Sequence, residues 1–226
     1  MSGEIHKNHR ERMRTRFAEH GLDNFADHEI LELLLFYTIP RGDVNPLAHE
    51  LLEEFGSLAN VLEAAPQDLQ KVKGMGPASA NFLHMLPQVF RRYQTSKLKG
   101  VVCNNTEKIA EYLKGYYVGR PREQLTIVLL DNSCKIIRVC DIGEGSASSV
   151  KINMRKLVQC VLQYNAAEVV LAHNHPRGRC MPSRADIMQT RNVRELLSKI
   201  DVRLVDHIII AEDKWTSLAA SRQLTL

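Results

Sequence analysis

Hydrophobic spacing divides the chain into a helical first part and a mixed second part. Between residues 6 and 93, apolar positions recur at helical intervals, which predicts an all-helical domain. The densest apolar run, residues 30–35, predicts a helix that is buried on most sides. Asn45 is the predicted N-cap of the next helix, with Pro46 at its first position, and Gly56 is the predicted stop.

After about residue 105 the pattern alternates between amphipathic stretches and β-prone apolar runs. The predicted helices cover 106–117, 149–164 and 183–200. The predicted strands cover 125–130, 135–141, 168–172 and 203–210. Helices combined with a largely antiparallel sheet predict an α+β fold. We therefore predict a helical domain over residues 1–95, a polar linker over 96–105 and a mixed domain over 106–226.

The motif His-Asn-His-Pro at residues 173–176 directly follows the predicted strand 168–172. Side chains two apart on a strand point to the same face, so a strand that continues through the motif aims His173 and His175 at one point. The chain then turns, and Asp186 can return as a third ligand. Two imidazoles, one carboxylate and water in a fourth position form a catalytic zinc site. These residues therefore predict bound Zn²⁺.

Ser183 and Asp186 also have the spacing of a helix capping box. This interpretation needs no metal, and the histidine motif could then be a polar turn at the end of a strand. The two interpretations are compatible, because a capped helix start gives Asp186 a rigid backbone.

The spacing H-x-H-x7-S-x-x-D resembles the JAMM (JAB/MPN) metalloprotease motif, and its HNHP form is similar to that of the bacterial RadC branch. Further RadC-like segments occur at residues 27–35, 73–77, 164–167 and 206–210. The resemblance implies a JAB/MPN (cytidine-deaminase-like) α/β/α domain with a mixed sheet. It also implies zinc-dependent hydrolysis of a peptide or isopeptide bond in an unknown peptide or protein substrate.

The resemblance also assigns roles near the metal. Glu123 begins a stretch that fits the RadC-like pattern E-x-x-x-h-x-h-D, which makes it the expected general base. Ser183 is expected to stabilise the oxyanion. His207 is expected to support a metal-bound imidazole, or else to be an ordinary core histidine. Glu144 is the competing base, although its glycine neighbours favour a turn. Lys156 departs from the RadC-like pattern, which has glutamate there.

Residues 66–90 resemble a helix-hairpin-helix around Lys73-Gly74-Met75-Gly76-Pro77. In such a module backbone N–H groups hold a DNA phosphate, so Lys73, Gly74 and Gly76 are candidate nucleic-acid contacts. The alternative is a hairpin that packs and binds nothing. A non-catalytic module that binds DNA or a protein, with a structural or vestigial metal site, is therefore the competing functional hypothesis.

Composition limits the kinds of partner and the cellular compartment that we expect, and it does not identify a reaction. The net charge of +4 is too small to indicate nucleic-acid binding by itself. No apolar run approaches membrane-spanning length, and the charged first 16 residues do not resemble a secretory signal. Five cysteines without C-x-x-C spacing favour reduced thiols and a cytoplasmic location. The sequence does not predict an oligomeric state.

Overall fold

The computed structural model describes residues 2–97, 103, 105–146, 149–150, 152–176 and 178–221, without the side chains of 2–8, 97 and 144–150. The chain divides between Val89 and Phe90 into two compact units. This division lies within a helix, and residues 98–102 and 104 of the predicted linker lie outside the described residues.

The N-terminal unit is helical. Its helices are α1 (Ser2–His20), α2 (Asp27–Leu35), α3 (Asn45–Phe55), α4 (Leu58–Glu63), α5 (Pro66–Leu69) and the first part of α6 (Pro77–Lys97). The predicted apolar helix is α2, and Leu31 and Leu35 on it are completely buried. Gly56 ends α3 with φ of +83°, which confirms the predicted stop. The predicted N-cap was wrong by one residue, because Val44 caps α3 and Asn45 is already helical.

The predicted helix-hairpin-helix has a short first helix, since α5 covers only four residues. In the connection to α6, Gly74 has φ of +98°, a conformation that L side chains rarely adopt. Gly76 lies outside this region of φ, and no other atom lies within 4 Å of the position its Cβ would take. The turn therefore requires glycine at position 74 and not at position 76.

Among the described residues, the C-terminal unit combines the end of α6 and three further helices with a six-stranded sheet. The helices after α6 are α7 (Thr106–Tyr117), α8 (Met154–Gln163) and α9 (Arg184–Ser198). The strands are β1 (Glu123–Leu130), β2 (Ile136–Ser146), β3 (Ser149–Val150), β4 (Glu168–Asn174), β5 (Arg203–Ala211) and β6 (Lys214–Ser217). The strand order is β3-β2-β1-β4-β5-β6, with only the β4–β5 pair parallel. This confirms the predicted α+β class with a mixed sheet.

Helices cover both faces of this sheet. On one face Ile127 and Leu171 pack in a cluster with residues of α8 and α9, such as Leu157 and Val193. On the other face alternate strand residues pack against α7. Because side chains alternate along each strand, odd-numbered residues of β4 face α8 and α9 and even-numbered residues face α7.

Three local predictions needed correction. The predicted helix from residue 149 begins only at Met154, and Ser149–Val150 form the short strand β3. Strand β6 was not predicted. Glu144 lies in β2 opposite Gln124, because strand pairing overrides the turn preference of its glycine neighbours. No helix among the described residues has both the length and the apolar character to cross a membrane.

Candidate metal centre

Glu123, His173 and His175 bring three potential ligand atoms within 4.8 Å of one another. The sheet register explains how residues 50 positions apart meet. Strands β1 and β4 are antiparallel, with Leu125 opposite His173. Glu123, the first residue of β1, therefore lies beside the end of the histidine motif. Glu123, Leu125 and His173 also share the strand face that is directed toward α9.

The two imidazoles approach each other through their Nε2 atoms, which are 2.8 Å apart. Glu123 Oε1 lies 3.9 Å from His173 Nε2 and 3.7 Å from His175 Nε2. His173 is buried, whereas His175 and Glu123 retain partial exposure. The centre is therefore partly open to solvent through His175 and Glu123.

Asp186 reaches the same place from the first turn of α9. Its Oδ1 lies 3.6 Å from His173 Nε2. Its Oδ2 accepts hydrogen bonds from the backbone N–H and the hydroxyl of Ser183, both at 2.7 Å. The predicted capping box is present, and it holds one carboxylate oxygen while the other faces the histidines. The only proton of the exposed Ser183 hydroxyl is thus used by Asp186.

A hydrogen-bond chain behind His173 fixes which ring nitrogen carries its proton. Thr190 Oγ1 donates to the carbonyl of Asp186 at 2.5 Å, so it accepts from His207 Nδ1 at 2.6 Å. His207 Nε2 is then unprotonated and accepts from His173 Nδ1 at 2.8 Å. Neutral His173 consequently presents an Nε2 lone pair to the centre.

His175 is oriented in the same way by a backbone oxygen. Its Nδ1 lies 2.8 Å from the carbonyl of Arg179, which can only accept a hydrogen bond. Neutral His175 therefore also directs an Nε2 lone pair into the centre. Two lone pairs at 2.8 Å have no proton between them, and a cation relieves their repulsion. The donor set fits a metal ion for this reason.

The spacing of the donors is compatible with zinc. Zinc–nitrogen bonds of about 2.0–2.1 Å in a tetrahedron place ligand atoms about 3.3 Å apart. Glu123 Oε1 lies 3.9 and 3.7 Å from the Nε2 atoms of His173 and His175, and Asp186 Oδ1 lies 3.6 Å from His173 Nε2. Small side-chain movements would bring either carboxylate onto an ion held by the two histidines.

Burial sets the protonation of these groups. It lowers the pKa of His173 and of His207, so both imidazoles are neutral at pH 7. Burial also raises the pKa of Glu123, and the nearby Asp186 adds to this effect while His175 opposes it. A carboxylate with a raised pKa accepts and returns a proton more readily near neutral pH.

Asn174 points to the opposite face from the two histidines and holds the segment that carries Glu123. Its Oδ1 accepts from Gln124 N–H at 2.8 Å. Its Nδ2 donates to the carbonyls of Arg120 at 3.2 Å and Arg122 at 3.1 Å. Since Asn174 is buried, these bonds tie the end of β4 to the start of β1.

Thr190 and its bond to His207 were not foreseen from the sequence. A signal was present, because Thr190 follows Asp186 by four residues and is a buried polar residue on the inner face of α9. The predicted Lys73, Gly74 and Gly76 belong to the other unit.

Of the two further residues named from the sequence, Glu144 and Lys156, only Lys156 has a described side chain. The side chain of Glu144 lies outside the described residues. Lys156 is exposed in the first turn of α8, where its N–H is capped by Asn153. Cys180 donates from its thiol to the carbonyl of Ile209 at 3.1 Å, which anchors the loop after the histidines.

Comparison with protein families matches residues 103–224 to the RadC-like JAB domain and residues 6–81 to the UPF0758 N-terminal domain. This chain belongs to the RadC family. The JAB match contains every residue of the candidate metal centre, and the UPF0758 match lies within the helical unit.

Similar RadC-family chains extend over almost the same length. A UPF0758 protein of Fusobacterium nucleatum is 33% identical over 225 residues, which cover 96% of this chain and 97% of that protein. A UPF0758 protein of Rhodobacter capsulatus is 34% identical over 209 residues, 92% of this chain and 98% of the other. A UPF0758 protein of Tolumonas auensis is 34% identical over 210 residues, which cover 92% of this chain and 94% of that protein. These names specify no reaction, so the chemistry must be argued from the site.

Proposed function

We propose that this RadC-family chain is a zinc-dependent hydrolase of peptide or isopeptide bonds. His173, His175 and Asp186 would hold the ion. The observation that carries the proposal is the convergence of two fixed Nε2 lone pairs with two carboxylates at the open end of one strand pair. When bound, zinc supplies a Lewis acid that polarises an amide carbonyl and acidifies water.

The two carboxylates have different supports, which suggests different roles. Asp186 has one oxygen fixed by Ser183, so its free oxygen is oriented like that of a permanent ligand. Glu123 has a raised pKa from burial and lies 3.7 Å from His175 Nε2. We therefore assign Glu123 as the general base that takes a proton from water and returns it to the leaving amine.

Ser183 would assist the reaction only after a change of partner. Its hydroxyl proton bonds to Asp186 Oδ2, and an oxyanion would have to attract this proton away. If metal coordination withdraws negative charge from Asp186, that bond weakens and the hydroxyl becomes available. The proposed oxyanion role of Ser183 depends on this exchange.

The competing hypothesis is a non-catalytic binding module with a vestigial centre. It predicts a Glu123 side chain directed into solvent, with no reason to approach the histidines. Instead, only 14% of the Glu123 side chain is exposed, and Asn174 holds the backbone on both sides of it. This supports the catalytic proposal. All five cysteines are free thiols, which suits our proposal of a reducing, cytoplasmic setting.

The experiment compares wild type with Glu123→Gln on a peptide library, with cleavage detected by mass spectrometry. We expect the variant to keep its metal, because the substitution removes none of the proposed ligands. Its cleavage rate should fall about a hundredfold or more, because the substitution removes the general base. Glu195→Gln is the matched control, since Glu195 is an exposed residue on α9 paired with Lys199. Equal cleavage by wild type and Glu123→Gln would reject the assignment, and Glu144 would be tested next.

A further inference from the structure

The two units carry opposite net charge. The first 89 residues contain eight Lys or Arg and 13 Asp or Glu, a net charge of −5. Residues 90–226 contain 22 Lys or Arg and 13 Asp or Glu, a net charge of +9. The small overall charge therefore conceals a strongly basic catalytic unit. Such a surface attracts negatively charged partners.

Three arginines of this unit are close in the chain or through their backbone to residues of the metal centre. Arg122 directly precedes Glu123 in the chain, and its carbonyl is held by Asn174. The carbonyl of Arg179 accepts the bond from His175. Arg184 lies between Ser183 and Asp186 at the start of α9. We refer to Arg122, Arg179 and Arg184 as the arginine rim.

The arginine rim is not neutralised within the chain. All three residues are exposed, and none of their guanidinium groups has a hydrogen bond or ion pair with another described residue. Between residues 169 and 194 the sequence has five arginines, and Asp186 is the only acidic residue. Exposed guanidinium groups recognise carboxylates through paired hydrogen bonds, so the rim offers unused binding capacity.

We propose that the substrate is a polypeptide segment with acidic side chains close to the bond that is cleaved. This inference rests on the proposed function, since it names the substrate class of the same centre. Carboxylates on both sides of the scissile amide would bind the arginine rim and draw the amide toward the histidines. Recognition would then combine charge at the rim with amide chemistry at the centre.

A nucleic acid fits this surface less well. Residues 175–198 contain no Phe, Tyr or Trp, the side chains on which bases stack in grooves for single strands. The exposed apolar residues there are methionines, with Met181 68% and Met188 66% exposed. Flexible thioether side chains suit the varied apolar side chains of a peptide. The proposed reaction also requires an amide bond, which a phosphodiester chain lacks.

The test measures binding separately from cleavage. Zinc-loaded Glu123→Gln protein is titrated by fluorescence anisotropy with a labelled, end-capped peptide of Glu, Ala and Leu. A second probe has Lys in place of Glu, and a third is labelled oligothymidylate. End-capping ensures that only side chains carry charge. We expect the Glu probe to bind at least about tenfold more tightly than the Lys probe at low salt.

Substitutions then locate the binding surface. Arg122→Gln and Arg179→Gln should each weaken the Glu probe about two- to fivefold. Arg191→Gln is the matched control, because Arg191 is exposed but about 10 Å further along α9 than Arg184. Equal binding of the two peptides, tighter binding of oligothymidylate, no binding at low salt, or an equal effect of Arg191→Gln would each overturn the proposal. Loss of zinc or an unchanged cleavage rate in Glu123→Gln would instead reject Glu123 as the base of the proposed function, and neither result depends on which peptide binds.

Discussion

The helical unit and the sheet unit use buried polar residues differently. Among the described residues, the helical unit buries two, Glu32 and Ser79. The sheet unit buries seven: Thr126, His173, Asn174, Thr190, Asp206, His207 and Ser217. Burying a polar group is costly unless it is hydrogen-bonded, so each group marks a place where the fold requires that chemistry.

The hydrogen-bond partners of these buried polar residues show what each residue does in the fold. In the helical unit Glu32 accepts from His9 Nε2 at 2.8 Å and Asn45 Nδ2 at 3.2 Å, which joins α1 and α3 to α2. In the sheet unit Thr190 and His207 hold His173 so that the Nε2 of His173 remains free for a ligand. The helical unit uses these polar groups to secure packing, and the sheet unit uses several of its own to orient the candidate metal centre.

The largest effect expected from this difference is on metal content. The double change His173→Ala, His175→Ala should reduce zinc from about one ion per chain to almost none, because it removes both imidazole ligands. Metal analysis of the purified protein by mass spectrometry is the measurement. The matched control is His28→Ala, His49→Ala, which removes two stacked rings from the helical unit.

The control protein should retain its zinc. Full zinc retention by the His173, His175 double variant would show that the ion lies elsewhere. Equal zinc loss in both variants would show that the histidines of the helical unit matter for zinc as much as His173 and His175 do.

A smaller effect is expected from the amide side chains. Asn174→Ala leaves three partly buried backbone groups without their partner, so it should lower the free energy of unfolding by roughly 1 to 3 kcal/mol. It should also lower cleavage, because the segment that carries Glu123 is no longer fixed. Asn45→Ala removes one side-chain bond in the helical unit and should cost about 1 kcal/mol without any change in cleavage.

Chemical denaturation and the peptide cleavage assay measure these two quantities. If Asn174→Ala is destabilised but cleaves normally at a temperature where it is folded, Asn174 is a packing residue and does not position Glu123.

The smallest effect concerns the hairpin of the helical unit. If its N–H groups hold DNA phosphate, Gly76→Glu should weaken duplex binding about two- to fivefold at low salt by charge repulsion. A Cβ at Gly76 would meet no heavy atom within 4 Å beyond its chain neighbours. Ala59→Glu adds the same charge at an exposed position of α4 and serves as the control.

Filter binding of the full chain to duplex DNA at two salt concentrations would measure this effect. The net charge of −5 on this unit already opposes a polyanion, so we expect weak binding. Identical affinities for wild type and Gly76→Glu would reduce the hairpin to a packing element.

Sequence periodicity predicted the long elements well and the short ones poorly. The bounds of α7 agree with the prediction, because apolar residues at helical spacing and the Asn105 cap act together. Strands β3 and β6 have two and four residues, too few for an alternating pattern to be recognised. They form because their neighbours β2 and β5 supply backbone partners.

The candidate site also has a part that the sequence predicts well and a part that it predicts poorly. The spacing of the histidine motif and Asp186 could be recognised from the sequence because those residues are close together in the chain. The contact of Glu123 with the histidines depends on the β1–β4 register, which no local pattern contains. The turn at Gly74 shows a further limit, since the motif contains two glycines and only the backbone angle reveals which one the turn requires.

The register of β1 against β4 also sets the order in which the centre can assemble. In the unfolded chain His173, His175 and Asp186 are close together, whereas Glu123 is 50 residues before His173 and His207 is 34 residues after it. Contacts between such distant segments form slowly, since each closes a long loop of chain. We therefore expect the arrangement in which Glu123 faces the histidines to form only after β1 has paired with β4.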